Sequence, residues 1–168
     1  MIEIRKATLG DSALIHRLAW DIFPETYRQI ISREQIDYMM EWMYSMDALR
    51  RQMTDEGHVY LIAYDGRGGR AVGYVSIRPD GADVFHLEKI YVLPSMQGTG
   101  CGRRLFESAV DYVRSVHPAP FTVELNVNRE NPALGFYRHM GMHEARRGDF
   151  PIGNGFYMND YIMALDVK

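Results

Sequence analysis

Residues 97 to 103, QGTGCGR, carry glycines at 98, 100 and 102, directly after an apolar run and directly before a stretch with helical periodicity. Glycines at alternate positions of a strand-to-helix turn leave successive backbone amides uncovered at the positive end of the helix dipole. Such a turn suits an anion, above all a phosphate or pyrophosphate. The competing account is a plain turn that needs positive φ. Arg103 and Arg104 add mobile positive charge beside the glycines, or serve as solvated residues of the first helical turn. A nucleoside-triphosphate loop would need Gly-Lys-Ser/Thr here, where the chain has Gly102-Arg103-Arg104, and a dinucleotide fold would put GxGxxG on an early strand. Both fit poorly. Cys101, between two of the glycines, reads as a small side chain filling the helix start rather than as a nucleophile.

The flanking sequence supplies the elements that such a turn needs. VFHLEKIYVL (84–93) reads as a strand ended by Pro94, and Leu105, Phe106, Ala109, Val110 and Val113 recur at helical spacing until Pro118 and Pro120 forbid continuation. Upstream, MIEIRKAT alternates as a half-buried strand. A helix is expected from Asp11, whose carboxylate can cap it, with Leu14, Ile15, Leu18, Ala19 and Ile22 on one stripe. SREQIDYMMEWMYS opens with Ser32 and Gln35 in capping-box spacing and carries Ile36, Met39, Met40 and Met43 on one face. HVYLIAYD (58–65) and AVGYVSIRP (71–79) predict a hairpin across GRGGR. FTVELNV (121–127) is a strand. NPALGFYRHMG is a short helix with Asn131 as cap, Pro132 in its first turn and Gly141 just past its end, and stretches around MHEARR and GFYMNDYIMAL finish a sheet. The order β, α, α, β, β, β, α, β, α, β, β predicts one mixed α/β domain over residues 1–168.

Composition narrows the function classes. A net charge of −3 without a basic stripe argues against nucleic acid, and one cysteine excludes an internal disulfide or a cysteine-based zinc site. No apolar run nears the ~18 residues of a membrane span, and MIEIRKATLGDS lacks a signal peptide's apolar stretch, so the expected location is cytoplasmic.

The segment LEKIYVLPSMQGTGCGRRLF resembles the acyl-CoA-binding signature of the GNAT superfamily of N-acetyltransferases, Gln/Arg-x-x-Gly-x-Gly/Ala, with Gln97, Gly100 and Gly102 filling the pattern. NPALGFYRHMGM resembles the family's second cofactor segment, with two departures: Glu130 stands where the family often has its asparagine, one place before Asn131, and Met142 replaces a phenylalanine. The element order agrees with that fold, a mixed, mostly antiparallel sheet with splayed strands flanked by helices. The resemblance implies acetyl-CoA as acyl donor and no metal. It assigns cofactor binding to Ile90, Tyr91, Val92, Gln97, Gly98, Thr99, Gly100, Cys101, Gly102, Arg103, Asn131 and Tyr137. The pantetheine arm would lie between the strand ending at Leu93 and strand 121–127, bonded to the backbone of Ile90 and Val92.

The implied reaction is attack of a neutral amine on a thioester, and most amines are protonated near neutral pH. Glu88 stands where many relatives place a carboxylate base, and period two puts it on the face of Ile90; the alternative is a solvated residue paired with a cation. Tyr137 matches the family's tyrosine, which protonates the departing thiolate. His139 and His143 show no partner in the sequence.

For the acceptor, the family implies a groove lined by the first two helices and the loop between the last two strands, here RRGDFPIGNGFYMND. Asp21, Glu25, Glu34, Asp37, Glu41 and Asp47 among Trp20, Phe23, Tyr27, Tyr38 and Trp42 would suit a cationic amine, although helix surfaces carry charge in any case and Arg28 and Arg33 dilute this one. The layout is loosely similar to the polyamine N-acetyltransferase branch. A peptide N-terminus, an amino-sugar, a non-catalytic CoA-binding sensor or scaffold, and a phosphate-binding structural domain are the alternatives. The Met and Trp residues of the second helix are candidates for a homodimer face.

Overall fold

The computed structural model describes residues 1–66 and 69–168. Its strands are β1 (Ile2–Lys6), β2 (Val59–Asp65), β3 (Arg70–Pro79), β4 (Val84–Val92), β5 (Phe121–Asn128), β6 (His143–Gly153) and β7 (Phe156–Val167). Its helices are α1 (Ser12–Tyr27), α2 (Arg33–Tyr44), α3 (Met46–Thr54), α4 (Cys101–Val116) and α5 (Leu134–His139). The strands form a single sheet in the order β1-β2-β3-β4-β5-β7-β6, antiparallel at every step except β4–β5. This is the mixed, mostly antiparallel architecture expected. The predicted β2–β3 hairpin pairs from Val59–Ile77 to Asp65–Arg70, while Arg67 and Gly68 of its connection lie outside the described residues.

Each face of the sheet is covered by helices whose apolar stripes the sequence announces. Leu105, Phe106, Ala109, Val110 and Val113 of α4 are buried against one face, the leucine, phenylalanine and two valines each contributing about 1.5–3 kcal/mol of burial. Gly73 permits that close approach, since a Cβ there would stand 2.7 Å from the Tyr91 carbonyl oxygen and 3.2 Å from Leu105 Cδ1. On the opposite face α1 packs Phe23 against Tyr91, with ring centroids 6.0 Å apart.

Local departures have local causes. Residues Leu9–Asp11 form a 3-10 turn, and Asp11 Oδ2 accepts from Thr8 N at 2.8 Å instead of capping α1. Ser32 caps α2 by accepting from Gln35 N at 3.1 Å, but Gln35 Nε2 donates to the Tyr157 carbonyl at 2.8 Å, so its side chain ties α2 to β7 rather than closing a capping box. Helix α3 departs from the expected element order: it spans only nine residues, and of its four apolar residues, Met46, Ala48, Leu49 and Met53, only Ala48 and Leu49 are buried; Ser45 caps it through Ala48 N. The supposed loop RRGDFPIGNG is strand up to Gly153, and β6 turns into β7 over Asn154 and Gly155. Methionines 39 and 40 are core, so what α2 and the start of α3 leave for a second copy is Trp42 and Met46, each 48% exposed. No helix among the described residues is long and apolar enough to cross a membrane.

Candidate active site

The site follows from a failure of pairing. β4 and β5 run side by side only at Val84–Thr122, Phe85–Val123 and His86–Glu124. Beyond that point the strands part, and the β5-facing backbone of β4 has no strand partner. The gap is a cavity of about 780 Å³, walled by residues 87–92 of β4, Leu125 to Val127 of β5, Ile22, Thr26 and Tyr27 of α1, and Phe136 and Tyr137 of α5. Its far end is the glycine turn.

That turn has the conformation its composition demands. Gly98 and Gly100 have φ of +81° and +86°, which L side chains rarely adopt, and a Cβ on either would meet nothing within 4 Å. Gly102 is different: it is helical, and a Cβ there would stand at ordinary contact, 3.6 Å from Phe136. Backbone geometry therefore accounts for two of the three glycines, and the third leaves the helix start bare where it lines the cavity. Arg103 Nε donates to Glu107 Oε1 at 2.8 Å, which holds its charge at the rim.

Of the expected cofactor residues, Ile90, Tyr91, Val92, Gln97, Gly98, Gly100, Gly102, Arg103, Asn131 and Tyr137 line this cavity. Two do not. Thr99 faces a neighbouring depression with its Oγ1 bonded to the Met96 carbonyl, and Cys101 is fully buried, its thiol pushed up by desolvation. The Cys101 side chain packs the start of α4. Asn131 Oδ1 accepts from Ala133 N at 2.9 Å and its Nδ2 donates to Tyr27 Oη at 3.2 Å, so its side chain shapes the turn before α5 and links it to α1. Tyr27 and Tyr91 share a hydroxyl contact of 3.3 Å. Tyr137 is the exception among the lining tyrosines: its hydroxyl has no hydrogen-bond partner among the described residues, and burial pushes the phenol up, so it stays protonated at neutral pH.

Glu88 sits at a β-bulge. Ser76 of β3 pairs with Lys89 and Ile77 with Leu87, leaving Glu88 without a cross-strand partner. The bulge breaks the period of two that put Glu88 on the face of Ile90. Instead its Oε1 accepts from Arg78 Nε at 2.5 Å; Arg78 follows Ser76 by two on β3, which places the ion pair on the Lys89 side of the sheet, whereas Ile90 pairs with Val75 on the other. Glu88 Oε2 has no hydrogen-bond partner among the described residues. Next to it, Lys89 is buried with Nζ donating to Tyr60 Oη at 2.5 Å and Gln52 Oε1 at 2.9 Å and lying 4.4 Å from the Tyr44 ring centroid. Desolvation pulls that amine down to about 7.

Of the acidic and aromatic residues expected around the acceptor, Tyr27 lines the cavity and the others do not. Asp21, Glu25, Glu34, Asp37, Glu41 and Asp47 are all exposed and none lines the cavity; Glu25, Asp37 and Asp47 pair with Arg28, Arg33 and Arg50. Phe23 is core, and Tyr38 donates to the Ile152 carbonyl at 2.8 Å, pinning α2 to β6. Arg78, Lys89, Asn126 and Asp160 were not singled out from the sequence. Each is a polar strand residue whose partner lies on another element, so only the pairing of distant segments shows what it meets.

Residues 27–164 match the family model for the acetyltransferase (GNAT) domain. The chain belongs to the GNAT acetyltransferases. This GNAT protein is an acetyl-CoA-dependent N-acetyltransferase. An uncharacterised N-acetyltransferase of Mycobacterium tuberculosis is 29% identical over 161 residues, covering 95% of this chain and 99% of its own. In fold, the GNAT chain is similar to the PaiA N-acetyltransferase from Thermoplasma acidophilum, solved in complex with coenzyme A (TM-score 0.81, 22% identity, 99% of each chain). Mutant forms of the spermidine/spermine N-acetyltransferase SpeG from Vibrio cholerae are also similar (TM-score 0.69, 21% identity, 98% of this chain and 93% of that one).

Proposed function

We propose that the protein transfers the acetyl group of acetyl-CoA to a small primary amine, polyamines among the candidates, by direct attack with donor and acceptor bound together. The observation that carries this reading is the cavity between β4 and β5 with Glu88 in its wall and the unpartnered Tyr137 hydroxyl on α5. In the reaction the amine nitrogen bonds to the thioester carbon and the carbon–sulfur bond breaks. Glu88, through Oε2 and a bridging water, takes the proton the nitrogen sheds; Tyr137 gives one to the departing thiolate. The amides of Gly98 to Arg103 receive the pyrophosphate, and the unpaired backbone of Ile90 and Val92 holds the pantetheine arm.

The test is mass-spectrometric detection of acetylated product from a panel of polyamines, amino-sugars, amino acids and peptides with acetyl-CoA, in parent and Glu88→Gln. The expected result is product from one amine class, with Glu88→Gln slower by roughly 100-fold at unchanged CoA affinity and with an altered pH profile. Equal rates at every pH would remove Glu88 as the base. A preparation that binds CoA and acetylates nothing would overturn the transfer reading in favour of CoA binding alone.

A further inference from the structure

Asp160 is the one described residue with a buried side-chain oxygen that lacks a partner. It lies on β7 and is 4% exposed; Oδ1 makes no hydrogen bond, and Oδ2 accepts from Asn126 Nδ2 at 3.3 Å. Asn126 is two residues past the last β4–β5 pair, is exposed, and lines the cavity. The pair therefore joins a buried carboxylate to the open wall of the site. Register also gives the side: His86 pairs with both Arg78 and Glu124, and Asn126 follows Glu124 by two. Asn126 thus stands across the gap from the Arg78–Glu88 ion pair, on the same side of the sheet.

An ionised carboxylate only accepts hydrogen bonds. Facing one, the Asn126 carboxamide must present its NH2 group to Asp160, and its oxygen is turned away. We propose that Asn126 and Asp160 form the acceptor subsite: Asp160, a positioning residue, aims the Asn126 carboxamide oxygen into the gap, where it accepts an N–H of the attacking primary amine. The inference rests on the transfer reading and deepens it. A neutral primary amine has two N–H bonds and a lone pair. One N–H turns to Asn126, the other toward Glu88, and the lone pair is left for the thioester carbon. A secondary amine has only one N–H and loses one of these bonds.

The arrangement is sensitive to pH. Burial outweighs the hydrogen bond from Asn126 and the attraction of Arg129 and raises the Asp160 carboxyl to about 6. The groups around it are Asn126 and Asn128 of β5, the Tyr27 phenol of α1, Arg129, itself paired with Asp149 of β6, and the uncharged Gly148 opposite on β6. Above that pH the carboxylate holds the amide in the productive orientation. Below it the carboxyl donates, the carboxamide turns over, and an NH2 group meets the amine's own hydrogens.

Two measurements test this. In isotope-labelled protein saturated with CoA, the Asn126 side-chain amide signals, identified by their loss in Asn126→Leu, should titrate with a midpoint near pH 6 and shift again when butylamine is added at pH 8. Asp160→Asn should abolish the titration. Signals that ignore both pH and butylamine would overturn the proposal. In turnover with butylamine or the amine found by the panel, Asn126→Leu should raise KM about tenfold with CoA affinity retained. The ratio of Asp160→Asn to parent kcat/KM should rise as pH falls below 6, a comparison in which the amine's own titration cancels. An unchanged KM, or a ratio flat from pH 5 to 8, would sink the subsite. Amide signals that respond to butylamine in a protein that acetylates nothing would leave the subsite standing while the transfer reading falls.

Discussion

Tyr137 is defined by what its hydroxyl lacks. The other lining tyrosines spend their hydroxyls on each other and on Asn131, while Tyr137 is buried, protonated and free to donate into the cavity. Tyr137→Phe deletes one oxygen from a site that has already closed around the ring. We expect kcat to fall roughly 100-fold with CoA affinity unchanged, measured by steady-state kinetics beside calorimetry. If the loss falls on CoA affinity instead, the phenol is a binding contact and not the acid. Tyr137 and the glycines were legible in the sequence because each belongs to a short, contiguous pattern. Glu88 was half legible: its place on the strand was read, but its partner Arg78 lies on β3, ten residues upstream, and the bulge that turns Glu88 to the other face exists only in the pairing of β4 with β3, so no local period contains either.

At the scale of elements, the turn from β4 to α4 separates two uses of glycine. Gly98 and Gly100 are required by positive φ, so any replacement there mixes strain with charge. Gly102 has helical φ and room for a side chain, which makes Gly102→Glu the cleaner probe of the pyrophosphate site. It should keep the fold and weaken CoA binding by at least tenfold, or about 1.4 kcal/mol, through like-charge repulsion. Calorimetry and a thermal melt on the same sample check both halves, and undiminished CoA affinity would mean the phosphates lie elsewhere. The elements the sequence hid have a common cause. Helix α3 is nine residues long and buries only two of its four apolar residues, and β6 is exposed over most of its length, so neither carries the long stripe by which α1, α2 and α4 announce themselves. Pairing with β7 makes β6 a strand.

For the whole molecule, the Lys89 cluster links four elements in one contact. Lys89 of β4 reaches Tyr60 of β2, Gln52 of α3 and the Tyr44 ring of α2, beside the gap between β4 and β5. Its amine falls to about 7 from an ordinary value of 10.5, so the folded chain holds this proton less tightly than the unfolded chain does. Stability linked to Lys89 therefore rises with pH between about 7 and 10.5. Lys89→Met removes the titration and leaves Tyr60 still donating to Gln52. Thermal unfolding should find it more stable than the parent by about 1–3 kcal/mol at pH 6, with the gain shrinking toward pH 10; a constant difference would place the effect in packing alone. The sequence alone determined the strand–glycine turn–helix unit, the apolar faces of the main helices, the order of elements it could see and the family resemblance, because each is written in spacings of a few residues. Tertiary structure alone decided where β4 and β5 part, which carboxylates reach the gap, and that Asn126 meets Asp160. Those are outcomes of register between strands distant in the chain, and a residue's own neighbours carry no record of what will lie across the sheet from it.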